Sequence, residues 1–552
     1  MPEPSQPTKN LINRYQFWYQ LFQPKAEMPT IHVDEVASTI ASFYEKIRGV
    51  VEWKEEHLLR RAAIGRILKR RMFLQKTGEE IAEPFVFELI RSGHFPNDRI
   101  EETKIEEVKK ALNKYLFILQ NSPGPQQEKG KVQLYDWLLN LAACEIEEIL
   151  CPPIREKALI EYMTKLMEEK IEVGKENKFS SSPSSPSRDS VTKGAIIQKM
   201  MGKEEKETQV YVACQRALFK LDGPIISYYL LRKRYPAWSD LPRAQLQGIA
   251  ADIYSIWKDI QRDLDHPLAE KFYKICEKYD TPYLILGDIL SQGPPEAREN
   301  FDKPEILEGL IKSVYQARLR KLKARMGRAA VFSTISIFAT KMLLAFAIEI
   351  PFDRYVLGEF NRQSLIFNIL IPPLLMFLLV LTIRPPKKEN LDRVILEAMK
   401  IVYEKDKKDI YTIKPPRKKG FILNFIVFTF YSLTFIVSFG LIILGLKRLD
   451  FGALSIIIFL MFFSLIAFAG VKIRERAKEL DITEGRGGFL AFLADTVSLP
   501  FLRVGRWLSN QWLRFNIVVV LITALIDMPF QLFTEFLEHW RTFLKEKKDE
   551  IH

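Results

Sequence analysis

The chain is poor in the residues that most often carry chemistry. Cysteine occurs four times and histidine six times in 552 residues. Cys144, Cys151, Cys214 and Cys276 form no C-x-x-C motif, and no histidine lies near the first two, so zinc-ribbon spacing is absent. The four are expected to be reduced, buried thiols of a cytosolic region. The histidines (His32, His57, His94, His266, His539, His552) do not cluster along the chain. There is no H-E-x-x-H, no G-x-S-x-G elbow and no phosphate-cradling G-x-x-x-x-G-K-[ST] loop. No catalytic, cofactor-binding or metal-binding residue is therefore assigned, no cofactor is expected, and the chain is read as non-enzymatic. Leu11 to Phe22 is too broken by Asn, Arg and Gln to act as a secretory apolar core, and no N-x-[ST] sequon occurs.

Long apolar runs, by contrast, are abundant after residue 328. A helix rises about 1.5 Å per residue, so roughly 20 apolar residues cross a hydrocarbon core. Spans are expected at 329–350, 365–383, 421–446 and 451–471, with a fifth at 515–533 that carries Asp527 and Pro529. The stretch 489–502 is short and contains Asp495 and Pro500, so it is read as re-entrant or interfacial, with Trp507 and Trp512 as an anchor. The expected fold class is all-α: a helical cytosolic N-terminal region followed by a polytopic α-helical transmembrane bundle.

The net charge of +13 would suit a nucleic-acid binder, but much of the excess flanks the apolar runs. Arg318, Arg320, Lys321, Lys323, Arg325 and Arg328 precede the first run, Arg384 to Lys419 hold twelve basic residues after the second, and Lys472 to Lys478 hold four after the fourth. This alternation places the N-terminal region in the cytosol of a multi-pass cell-membrane protein. Nucleic acid is not an expected partner; the lipid bilayer and other proteins are. Whether 489–502 crosses decides the side of the C-terminus.

Before the spans the pattern is helical. Ile105, Val108, Leu112, Leu116 and Leu119 recur at helical spacing, as do Leu134, Leu138 and Leu141. The reading divides the chain into an aromatic segment at 1–30, helical domains at 31–172 and 206–328, a Ser/Pro-rich disordered linker at 173–205, the transmembrane domain at 329–533 and a polar amphipathic tail at 534–552. The aromatic patch Tyr15, Phe17, Trp18, Tyr19 and Phe22 suits either an interfacial helix or a helix packed on the next domain.

Two charged features stand out. Lys341 lies near the middle of the first span, where lysine costs about 2.5–3.5 kcal/mol, so a partner is expected. At matched depth on the fifth span stands Asp527, and a Lys341–Asp527 pair follows, with Glu349 as a further ionisable residue. Such a pair either fixes helix register or marks an ion path. The second feature is the basic helix carrying Arg60, Arg61, Arg66, Lys69, Arg70 and Arg71, read as a membrane-surface patch or as a face paired with acidic neighbours. The functional expectation is a scaffold, assembly or regulatory protein acting through its cytosolic helices, and the alternative is a transporter or channel with a cytosolic regulatory domain.

Overall fold

The computed structural model describes residues 3–21, 29–33, 56–74, 78–123, 128–173, 201–352, 354–355, 362–383, 386–404, 409–413, 421–482 and 489–515, with single positions in the tail. Of the linker expected at 173–205, residues 174–200 lie outside these residues, as does the fifth expected span, Asp527 included; Val173 ends a strand and Lys203 starts a helix. Among the described residues the fold is all-α apart from two three-residue strands. It forms two compact units: Met1–Asp302 with Val402–Pro415 and Leu521–His552, and Lys303–Ile401 with Pro416–Val520.

The first unit contains α1 (Gln6–Leu21), α2 (Glu56–Leu74), α3 (Gly78–Arg91), α4 (Thr103–Asn121), α5 (Glu128–Leu150), α6 (Ile154–Lys170), α7 (Lys203–Phe219), α8 (Gly223–Arg234), α9 (Arg243–Leu264), α10 (Ala269–Lys278), α11 (Asp280–Gln292) and α12 (Ala297–Asp302). Segments on either side of the Ser/Pro linker share one core, because α6 packs on α7 and α9 packs on α4. On α4 the buried face is Val108, Ala111, Leu112, Tyr115 and Ile118. Leu116 and Leu119 are only half-buried, so the inner face is rotated from the one that leucine spacing alone suggests. Helix α8 starts cleanly: the Asp222 carboxylate accepts the Ile225 N–H at 3.4 Å, and Pro224 presets the first turn.

Helix α1 packs on α6, burying Leu11, Ile12 and Tyr15, while Arg155 lies 4.3 Å over the Trp18 ring. Thr8 bonds the Tyr162 hydroxyl at 2.8 Å. The Ser5 N–H donates to the Val402 carbonyl at 2.8 Å, and the Thr8 hydroxyl donates to the same oxygen at 3.3 Å. Strand β1 (Ile171–Val173) pairs in parallel with β2 (Tyr411–Ile413), Ile171 opposite Tyr411. Residues more than 200 positions apart thus complete this unit.

The second unit is built from α13 (Pro304–Leu344), α14 (Arg362–Leu381), α15 (Lys388–Tyr403, ending in the first unit's segment), α16 (Phe421–Arg448), α17 (Ala453–Ala477) and α18 (Phe489–Phe515). Among the described residues three helical stretches, Pro304–Phe352, Asn424–Arg448 and Ala453–Ala477, are long and apolar enough to cross a membrane, and Leu365–Leu381 is a shorter apolar helix. Helix α14 packs between α13 and α17, and α18 packs along α17 and α16. Residues 489–502 are the first half of one 27-residue helix. The apolar run looks short in sequence because α18 is two-faced: Phe501 and Gly505 are buried, whereas Arg503, Arg506 and Trp507 are exposed.

Asn390, 1 % exposed, ties three segments of this unit together. Its amide donates to the Tyr315 hydroxyl at 2.9 Å and the Leu480 carbonyl at 2.5 Å, and its carbonyl accepts the Ile482 N–H at 2.9 Å. Glycine sets how closely the long helices approach. A Cβ on Gly505 would stand 2.1 Å from the Ser464 carbonyl oxygen, which is backbone and cannot move aside. A Cβ on Gly470 would first meet the Leu379 side chain, at 2.3 Å. Gly505→Ala is therefore expected to destabilise the chain by about 3 kcal/mol, at or above the upper end of usual overpacking, and Gly470→Ala by about 1 kcal/mol. Thermal melts of the two purified full-length variants check the order; equal melting would disprove the backbone contact.

Candidate functional site

In the second unit, the candidate site begins with the sequence of α13. Its last turns run through Lys341 into a π-helical turn, Ala345–Glu349. In an unbroken α-helix, residues eight apart are rotated by about 80° beyond two turns. The π turn inserts one extra residue, so Glu349 takes the angular place of a seventh neighbour, within about 20° of Lys341. The Lys341 ammonium and the Glu349 carboxylate form an ion pair, both residues fully buried.

Helix α14 supplies the third member. The Asn368 amide donates to Glu349 Oε2 at 2.7 Å, while its own Oδ1 is buried without a hydrogen-bond partner. Pro372 stands four residues further on, also buried, and has no N–H to give to the Asn368 backbone carbonyl. Helix α17 closes the site with Phe462, whose ring centroid lies 5.4 Å from the Lys341 ammonium. A cation, an anion, an amide and an aromatic face from three helices thus meet in an otherwise apolar interior. The arrangement neutralises Lys341 locally, and it holds α13, α14 and α17 in one register.

The first unit contains a second buried polar cluster, one that sequence reasoning missed. Lys114 of α4 donates to Glu145 of α5 at 2.5 Å and to the Trp238 carbonyl at 2.7 Å. The other Glu145 oxygen accepts from the Tyr115 hydroxyl at 2.9 Å and the Trp238 indole at 3.0 Å. Burial lowers the Lys114 pKa, against the pull of Glu145, and raises that of Tyr115. Both carboxylate oxygens are used, and Lys114, Tyr115 and Trp238 each donate to them, which marks a clamp rather than a reactive group.

The six basic residues of α2 behave differently from a free patch. Arg61 is buried, bonded to Asn140 at 2.7 Å and ion-paired with Asp222. Arg60 lies 3.7 Å from Glu147 and 3.4 Å from the Cys151 sulfur. Arg70 and Arg71 share Glu88, and Lys69 meets Asp136 at 3.2 Å. Arg66 is half-buried. The acids come from α3, α5 and the α8 cap rather than from sequence neighbours, which is why the pairing is hidden in the sequence.

Cys144, Cys214 and Cys276 are buried free thiols, and Cys151 is half-buried. Cys214 and Cys276 lie 3.8 Å apart. Burial pushes the Cys144 thiol well up, so it is a poor nucleophile. Among the described residues no three His, Cys, Asp or Glu side chains gather as metal ligands.

No protein family, curated protein or solved structure matches this chain.

Proposed function

We propose that the chain is a multi-pass membrane protein that works as a scaffold or regulator, holding partner proteins through its helical N-terminal unit on the cytosolic side. The observation that carries the reading is the closure of the Lys341–Glu349–Asn368 site. Its charges are spent on each other, which suits a register lock between helices better than a path for a substrate. Membrane residence is supported by the surface of α16, where Phe421, Ile422, Phe425, Phe428, Phe430, Leu433 and Ile436 are all exposed. A patch of that extent is not left to water by soluble proteins.

A second reading, transport, draws support from the π turn, since such turns often accompany function. One experiment separates the two. Cells carry either the wild-type chain or a Lys341→Leu/Glu349→Leu double variant, and proteins are crosslinked in native membranes before purification. A scaffold gives the same partner crosslinked to residues 1–302 at equal yield from both. Loss of cellular function in a folded double variant, with no such partner in the wild type, would replace scaffold by transporter.

A further inference from the structure

Two helices of this chain carry dense positive charge, and their fates differ. On α2 the cations meet acids of the same unit, as described above. On α13, Arg320, Lys321, Lys323, Arg325 and Arg328 place five cations within nine residues, and no acid occurs between Glu308 and Glu349. All five are exposed, and none has an acidic partner among the described residues.

Their placement around the helix points to the missing counter-charge. At about 100° per residue, Arg320, Lys321, Arg325 and Arg328 fall within an arc of about 140°, with Lys323 some 60° outside it. The opposite side is the packed one, where Leu322 is buried and Met326 joins the cluster of Ile383, Ile473 and Ala477. Continuing along the helix, the exposed apolar residues Val331, Phe332, Ile335, Phe338, Leu343 and Phe346 occupy the same arc of about 140° as the four cations. One continuous exposed stripe therefore changes from basic to apolar between Arg328 and Val331.

We propose that this stripe binds acidic phospholipid, its phosphate headgroup against Arg320, Lys321, Lys323, Arg325 and Arg328 and its acyl chains along Val331 to Phe346. A nucleic acid or an acidic peptide satisfies the first half of the stripe and leaves the second half in water; only an amphiphile with an anionic head matches both. The inference rests on reading α13 as a membrane span.

The test uses the full-length protein, purified in mild detergent and equilibrated with mixed micelles of phosphatidylglycerol and phosphatidylcholine. Bound lipid is then measured by mass spectrometry. Wild type is expected to enrich phosphatidylglycerol, and a variant with Arg320, Lys321, Lys323, Arg325 and Arg328 all changed to Gln is expected to hold about tenfold less of it. A charge-keeping variant (Arg320→Lys, Arg325→Lys, Arg328→Lys) keeps the enrichment, and excess inorganic phosphate leaves most of the lipid in place. Displacement by inorganic phosphate would overturn the lipid in favour of a free anion. Equal binding of the two lipids by wild type overturns the proposal even if the Gln variant fails to fold, and so does undiminished enrichment in a folded Gln variant. Alkaline carbonate extraction of cell membranes runs in parallel. Release of the chain by carbonate removes the membrane reading and the proposal with it, whereas retention without enrichment removes the proposal alone.

Discussion

Glu349→Ala in the full-length protein is expected to cost about 3–5 kcal/mol, more than any other single change in the second unit. The reason is what remains. Lys341 stays fully buried, and the carboxylate it pairs with has been removed. Asn368 also loses the acceptor for its amide. An uncompensated buried charge is far more costly than the pair was stabilising, so removing both charges should hurt less than removing one. Lys341→Leu/Glu349→Leu is expected to recover most of the loss. The shortfall of about 1–3 kcal/mol belongs to the stranded Asn368 amide. Adding Asn368→Leu should return that remainder. Melting of the purified single, double and triple variants in one detergent reads the series directly. A double variant no more stable than Glu349→Ala would mean that the two charges do not depend on each other.

Glu145→Ala is the second large effect, expected at about 3–5 kcal/mol in the first unit. It removes the acceptor that three donors share: the Lys114 ammonium keeps the Trp238 carbonyl, the Trp238 indole keeps the Tyr115 hydroxyl, and the Tyr115 hydroxyl loses its carboxylate. A conservative Glu145→Gln change does not rescue it fully, because an amide replaces one of two carboxylate acceptors by an N–H donor where Lys114, Tyr115 and Trp238 already supply donors. Lys114→Met combined with Glu145→Met fills similar volume without charge, and is expected to lie within about 1–2 kcal/mol of wild type. Hydrogen exchange along α4 and α5 is the local readout. It should rise sharply in Glu145→Ala and stay near wild type in the double methionine variant. Unchanged protection in Glu145→Ala would show that the cluster does not hold these helices.

The helical character and the long apolar stretches were legible because both rest on periodicity and length, which are local properties. Lys341 was legible as a buried charge, since it stands near the middle of an apolar run. Its partner was not. Regular helical geometry turns residue 349 about 80° away from 341, and depth matching points across to Asp527, which lies outside the described residues. The π turn supplies the missing rotation, and no local residue pattern announces it. A usable signal existed nonetheless: Glu349 is the first acid after Glu308, placed in an apolar run where an acid has no reason to sit alone. The Lys114–Glu145 clamp was hidden for another reason. Each residue stands among like-charged neighbours, Lys109 and Lys110 or Glu147 and Glu148, and reads as one more solvated charge until tertiary packing turns that face inward. The same holds for Arg61, whose partner Asp222 lies 161 positions away.

The parallel pairing of β1 with β2, and the two bonds that Ser5 and Thr8 give to the Val402 carbonyl, have a consequence for biosynthesis. The first unit needs residues 402–415, which leave the ribosome only after two long hydrophobic segments have been made. At about 5–20 residues per second, the interval between residues 302 and 415 lasts on the order of ten seconds. For that time the nascent N-terminal helices wait, lacking their last strand, while the hydrophobic segments are handled. Completion of the one body is thereby timed by synthesis of the other, and a chain stalled or cut before residue 402 is born unfinished.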